Sequence, residues 1–115
     1  MSVYNRKILC PKYLEFIRQK PCVVCGKSPP SDADHLKARG FGSGKANDLT
    51  GIPLCRVCHS ERHRMGTQAF GLKHQVDLWQ VAAMFLIEFF ADPERRATVA
   101  IHVSNKSKGV ETLRL

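Results

Sequence analysis

From Pro11 to Lys20 the apolar residues Tyr13, Phe16 and Ile17 recur at helical spacing. Pro11 suits a first helical turn and Pro21 closes the segment, so a short amphipathic helix is expected. Between Cys22 and Leu54 the pattern breaks: Pro29, Pro30 and the glycines of Gly40-Phe41-Gly42-Ser43-Gly44 favour loop and hairpin. Residues Arg56 to Arg64 contain neither Gly nor Pro and precede Gly66, which predicts a helix of about two turns ending near Met65.

A further helix, about 74–91 (His74 to Ala91), is apolar nearly all round, with Val76, Leu78, Trp79, Val81, Met84, Phe85, Leu86, Ile87, Phe89 and Phe90. Such a helix has to be buried, and a short chain can scarcely surround it. A homodimer interface on this helix is therefore expected, beside the plainer reading of a core helix. In the tail, about 98–115, Val99, Ile101 and Val103 alternate as in a strand, and polar Ser104 to Gly109 suggest a loose end. No repeat or linker marks a second unit, so the 115 residues are expected to form one domain with its core at about 20–66.

Charge narrows the partner. Lys and Arg number 18 against 10 Asp and Glu, an excess of 8 that favours a polyanion or, more plainly, solubility. The longest apolar stretch, Leu78 to Ala91, is interrupted by Gln80 and Glu88 and falls short of the ~18 apolar residues of a membrane span. No secretory segment opens the chain, so a cytoplasmic, intracellular setting is expected, in which the five cysteines hold metal more readily than disulfides.

Cys22-Val23-Val24-Cys25 and Cys55-Arg56-Val57-Cys58 are two C-x-x-C pairs, each able to wrap two thiolates onto one zinc. A redox pair would want a βαβ context, and inert buried cysteines would have no reason to come in matched pairs. Four thiolates close the coordination shell, so this zinc is structural. Cys10 is left over as a partly buried spare thiol. The other candidates are Asp34-His35, inside the insert between the pairs, and His59 and His63, whose spacing of four puts both imidazoles on one helix face. Alone, an i, i+4 His pair is as well read as surface decoration.

The succession C-x-x-C, Asp-His, a Gly-rich turn, Asn or Asp, then Pro-Leu-Cys-x-x-Cys-His-x-x-x-His resembles the HNH (ββα-metal) endonucleases, and among them small phage HNH proteins such as the RecA-dependent nuclease Ref. The resemblance covers about Leu14 to Phe90 and is sharpest over Ile52-Pro53-Leu54-Cys55-Arg56-Val57-Cys58-His59-Ser60-Glu61-Arg62-His63. It implies an α+β fold: a small zinc-stabilised ββα-metal (HNH, His-Me finger) core with flanking helices. It also implies a phage-encoded DNA endonuclease, a phosphodiester hydrolase leaving 5′-phosphate and 3′-hydroxyl ends.

Carried over by residue, the resemblance makes Asp34, His59 and His63 the ligands of a catalytic cation and His35 the general base. The central position falls to Asn47 by residue type or to Asp48 by likeness to Ref-like sequences. A neutral imidazole with a pKa near ~6.5 suits proton abstraction from water. One carboxylate and two imidazoles leave a divalent cation room for a phosphate oxygen. Mg or Mn is the expected ion, though such a donor set also accepts Zn, Ni or Co. Lys37, Arg39, Lys45, Arg56, Arg62 and Arg64 flank the site as candidate nucleic-acid contacts, without base specificity. A recombinase or packaging partner stays open, as does the alternative of a non-catalytic zinc module that binds nucleic acid or protein.

Overall fold

Pro11 at the first turn opens α1 (Pro11–Arg18), whose Tyr13, Phe16 and Ile17 are buried on one face as their spacing predicts. A two-residue strand, β1 (Ile8–Leu9), precedes it. The computed structural model describes residues 8–36, 47–105 and 109–114. The Cys22–Leu54 stretch supplies two short antiparallel strands, β2 (Asp32–His35) and β3 (Gly51–Leu54), with Asp34 opposite Ile52 and His35 opposite Gly51. A 3-10 turn, Asp48–Thr50, leads into β3.

The helix after the second cysteine pair is α2 (Arg56–Met65), close to the expected span. It ends at Gly66, whose φ of 89° and ψ of 158° lie in a region that only glycine populates freely. α3 (Thr67–His74) starts directly after this glycine. A carboxylate staples α3 to α2: Glu61 accepts from His74 at 2.6 Å and pairs with Lys73 at 3.0 Å, and these contacts hold its carboxyl below the usual range.

The helix expected over about 74–91 begins later, at Leu78, and is preceded by α3, which was not expected. His74 ends α3, Gln75 takes a left-handed conformation (φ 56°), and α4 (Leu78–Ala91) begins after Asp77, which caps it by accepting from the Gln80 N–H at 3.1 Å. The close turn depends on Gly71, where a Cβ would stand 2.6 Å from the Val76 carbonyl oxygen. Periodicity carried the helix across the turn because apolar Val76, between Gln75 and Asp77, continues the run.

Two apolar clusters form the core. One gathers Leu36, Ile52, Leu54, Cys22, Cys55, Cys58 and Phe70. The other gathers Cys10, Tyr13, Phe16, Ile17 and Val99. α4 joins them, giving Leu78 and Ala82 to the first and Phe89 to the second, at intervals of four and seven residues along one stripe. The expectation of burial all round is not met within the chain, since Trp79, Met84 and Ile87 remain 42, 62 and 70% exposed. α1 packs on one side of the β2–β3 pair and α2 contacts both strands, which leaves all four residues of β3 buried.

After α5 (Pro93–Thr98), β4 (Ala100–Asn105) is the strand its alternation predicts. The segment read as a loose end instead contains β5 (Gly109–Arg114), which pairs antiparallel with β4. β1 joins the other edge of β4, giving a three-stranded sheet in the order β1-β4-β5. The polar run before β5 suggests a loose end, whereas Val110, Thr112 and Leu113 within β5 are residues that suit a strand. The described residues thus form a small α+β fold, and no described helix is long and apolar enough to cross a membrane.

Candidate metal centres

The two cysteine pairs meet although 30 residues separate Cys25 from Cys55. Their four sulfurs lie within 4.8 Å of one another, with Cys25 Sγ and Cys55 Sγ 3.6 Å apart. Zinc–sulfur bonds of ~2.3 Å in a tetrahedron would set sulfurs about 3.8 Å apart, so these residues fit a structural metal such as zinc. The first pair is held as a knuckle: Gly26, at φ 75°, donates its N–H to the Cys22 carbonyl, and the Cys22 N–H bonds the Lys27 carbonyl. The Val23 N–H bonds the Pro53 carbonyl at 3.1 Å and so fixes this knuckle to β3. The second pair opens α2, where Cys55 Sγ accepts from the Cys58 N–H at 3.4 Å.

Burial raises the Cys22 thiol, but N–H donors from Cys25, Cys55 and Val24 outweigh it and bring the group down to about 6. A thiol in that range is largely thiolate at neutral pH, the form that can bind a metal. Cys10 is fully buried, more so than expected, and burial pushes its thiol up. It lies in the other core cluster, apart from the four ligands.

The second cluster follows from strand alternation. Asp32 and Asp34 share one face of β2 and meet the face of α2 that carries Arg56, His59, Arg62 and His63. Asp34 Oδ1 stands 3.3 Å from His59 Nε2 and 3.3 Å from His63 Nε2, and the two Nε2 atoms are 2.9 Å apart. Three donors on one divalent ion at ~2.1 Å would stand about 3.0–3.4 Å apart, so the set fits a single cation. Asp34 is 1% exposed, whereas the side chain of His63 is 59% exposed, so the site has a buried wall and an open front.

Asp32 joins the candidate site although the sequence pattern did not single it out. Its Oδ2 lies 2.9 Å from His59 Nδ1 and 3.1 Å from Arg56 Nε. The His59 hydrogen bond, aided by Arg56, holds the Asp32 carboxyl below the usual range. With Nδ1–H donated to Asp32, the lone pair of His59 is left on Nε2, facing Asp34 and His63. The available signal was period two: a carboxylate two residues before Asp34 on a strand shares its face.

His35 belongs to a different group. It alternates away from Asp34, and its Nε2 lies 2.9 Å from Asp48 Oδ1. Asp48, 6% exposed, also accepts from the Cys10 N–H at 2.7 Å. Asn47 turns elsewhere and accepts from the Ile8 N–H at 2.8 Å. Of the two candidates for the central position, Asp48 is the one whose side chain contacts His35.

Among the candidate nucleic-acid contacts, Arg56 and Arg64 are exposed, whereas Arg62 is 7% exposed and committed to Asp34. Lys37, Arg39 and Lys45 lie outside the described residues. A cleft of about 600 Å³ between α3 and α4, lined by Thr67, Gly71, Leu72, Val76 and Trp79, contains none of the candidate ligands. The Asp34–His59–His63 group sits outside that cleft.

A family model described as "Protein of unknown function (DUF968)" matches residues 4–88. The "Uncharacterized protein YdfU" of Escherichia coli (strain K12) is 40% identical over 61 residues, which is 51% of this chain and 17% of that protein. The chain therefore spans only a small part of the length of this curated relative. No solved structure matches.

Proposed function

We propose that this chain, which belongs to the DUF968 family of proteins of unknown function, is a metal-dependent DNA endonuclease of the HNH (ββα-metal) type. The observation that carries the reading is the convergence of Asp34 Oδ1, His59 Nε2 and His63 Nε2, no two more than 3.3 Å apart, on two antiparallel strands followed by a helix. Those residues would hold a divalent cation, Mg or Mn by preference. Bound there, the ion would supply Lewis-acid stabilisation of charge developing on a phosphodiester.

The chain's own groups do the rest. With Nε2–H donated to Asp48, His35 keeps a lone pair on Nδ1 and accepts the proton of an attacking water. Asp48 stabilises the imidazolium that results, and its bond to the Cys10 N–H keeps the carboxylate in place. Asp32 fixes the ring of His59. Arg56 and Arg64, exposed on α2, offer contacts to phosphates on either side of the cut bond. The four-cysteine site anchors the start of α2, and hence His59, against the strands.

The test is cleavage of supercoiled and single-stranded DNA by the purified chain with Mg, Mn or Ni, beside His35→Ala with its zinc content matched. The expected outcome is cation-dependent cutting that is lost in the variant. If neither protein cuts under any cation and both bind DNA equally, the reading is overturned in favour of a non-catalytic zinc module.

A further inference from the structure

Arg62 stands inside the candidate cation site, not on the DNA-facing surface. Its Nε donates to Asp34 Oδ2 at 2.5 Å and one terminal nitrogen donates to Oδ1 at 2.7 Å, a two-point grip on a carboxylate that is 1% exposed. That same terminal nitrogen lies 3.1 Å from His63 Nε2, and the other is fixed 3.1 Å from Thr67 Oγ1 on α3. The guanidinium therefore engages two of the three atoms that would bind the ion, and Thr67 keeps it from swinging freely.

A guanidinium does not lose its proton in a protein, so this positive charge is permanent. It neutralises Asp34, repels a second cation through a poorly screened interior, and shares the lone pair of His63. We propose that Arg62 is a positioning residue that sets the cation affinity of the Asp34–His59–His63 site, keeping a divalent ion weakly held and exchangeable. The inference rests on the reading that these three residues hold a cation. An ion whose carboxylate charge is already offset retains more of its own for a phosphate oxygen, so weak binding and strong polarisation come together.

The test is Mn(II) binding to the full zinc-loaded chain, followed by the electron paramagnetic resonance of free Mn(II), for the parent, Arg62→Gln, Arg62→Lys and His63→Ala. Zinc content and thermal unfolding are matched first. Arg62→Gln, which keeps one amide donor for Asp34 but removes the charge, is expected to tighten Mn(II) binding at least about tenfold. Arg62→Lys, which keeps the charge, is expected to stay close to the parent. Equal or weaker binding by Arg62→Gln overturns the inference while the site reading stands, provided that His63→Ala loses Mn(II). Absence of Mn(II) binding by the parent, or identical binding by parent and His63→Ala, overturns the site reading and the inference with it. Should Arg62→Gln not fold, the parent answers through NMR: on Mg(II) titration the Arg62 Nε–H resonance is expected to move in step with the His63 ring. A stationary Arg62 resonance overturns the proposal.

Discussion

At the scale of residues, strand alternation sorts the charged side chains. Asp32 and Asp34 fall on the face that meets α2, while His35 turns to Asp48 on the other side. Asp34, His59 and His63 were legible through the resemblance of the order C-x-x-C, Asp-His, C-x-x-C-H-x-x-x-H to that of the HNH nucleases, and the structure brings the three within 3.3 Å of one another. Asp32 was not, because its value comes from the ring it orients, and that ring is 27 residues away. Replacing Asp32 by Asn removes the charge that fixes the His59 tautomer and is expected to weaken Mn(II) binding by about tenfold or more. A Mn(II) titration of Asp32→Asn beside the parent checks this, and unchanged affinity would show that His59 needs no such support.

At the scale of elements, α4 carries the most apolar sequence, yet only one stripe of it is buried. Leu78 and Ala82 close one core cluster, and Phe89 fills the other, where its ring meets Tyr13 edge-on at 5.1 Å and Phe16 at 5.2 Å. Removing that ring would open a cavity between α1 and α4. Phe89→Ala is therefore expected to cost about 3–5 kcal/mol of folding stability, measured by urea unfolding with zinc present. A loss below about 1 kcal/mol would mean that α4 relaxes into the space. Helix signals at α1 and α2 were clear because Pro11 and Gly66 mark ends by backbone chemistry. The break between α3 and α4 was obscure because it is made by Gln75 in a left-handed conformation, which no residue type announces.

At the scale of the whole molecule, a small chain with two modest clusters is expected to gain much of its stability from a metal at the cysteine site. The knuckle of Cys22 and Cys25 meets the start of α2 through the four sulfurs and is tied to β3 by the Val23–Pro53 backbone bond. Stripping the metal with a strong chelator leaves several thiols packed together in the first core cluster with no ion to offset the thiolates. The expected outcome is loss of the cooperative thermal transition, restored by added zinc. A chelated, metal-free chain that melts as before would mean that the apolar clusters suffice.

The sequence by itself determined the short-range chemistry: the paired cysteines, the two imidazoles on one helix face, the carboxylate of Asp34, and helices wherever proline, glycine and apolar spacing agree. Each of these is decided within a few residues, by the pitch of a helix, the reach of a turn or the demand of a tetrahedral ion. Only the tertiary structure decided that Arg62 is buried against Asp34, that Asp48 and not Asn47 holds His35, that β5 closes a sheet on β4, and that Trp79, Met84 and Ile87 stay exposed. Those outcomes depend on which surfaces meet across tens of residues. Burial changes the meaning of a charge: an arginine in water is free to meet a phosphate, and the same arginine held against a buried carboxylate is committed to that carboxylate.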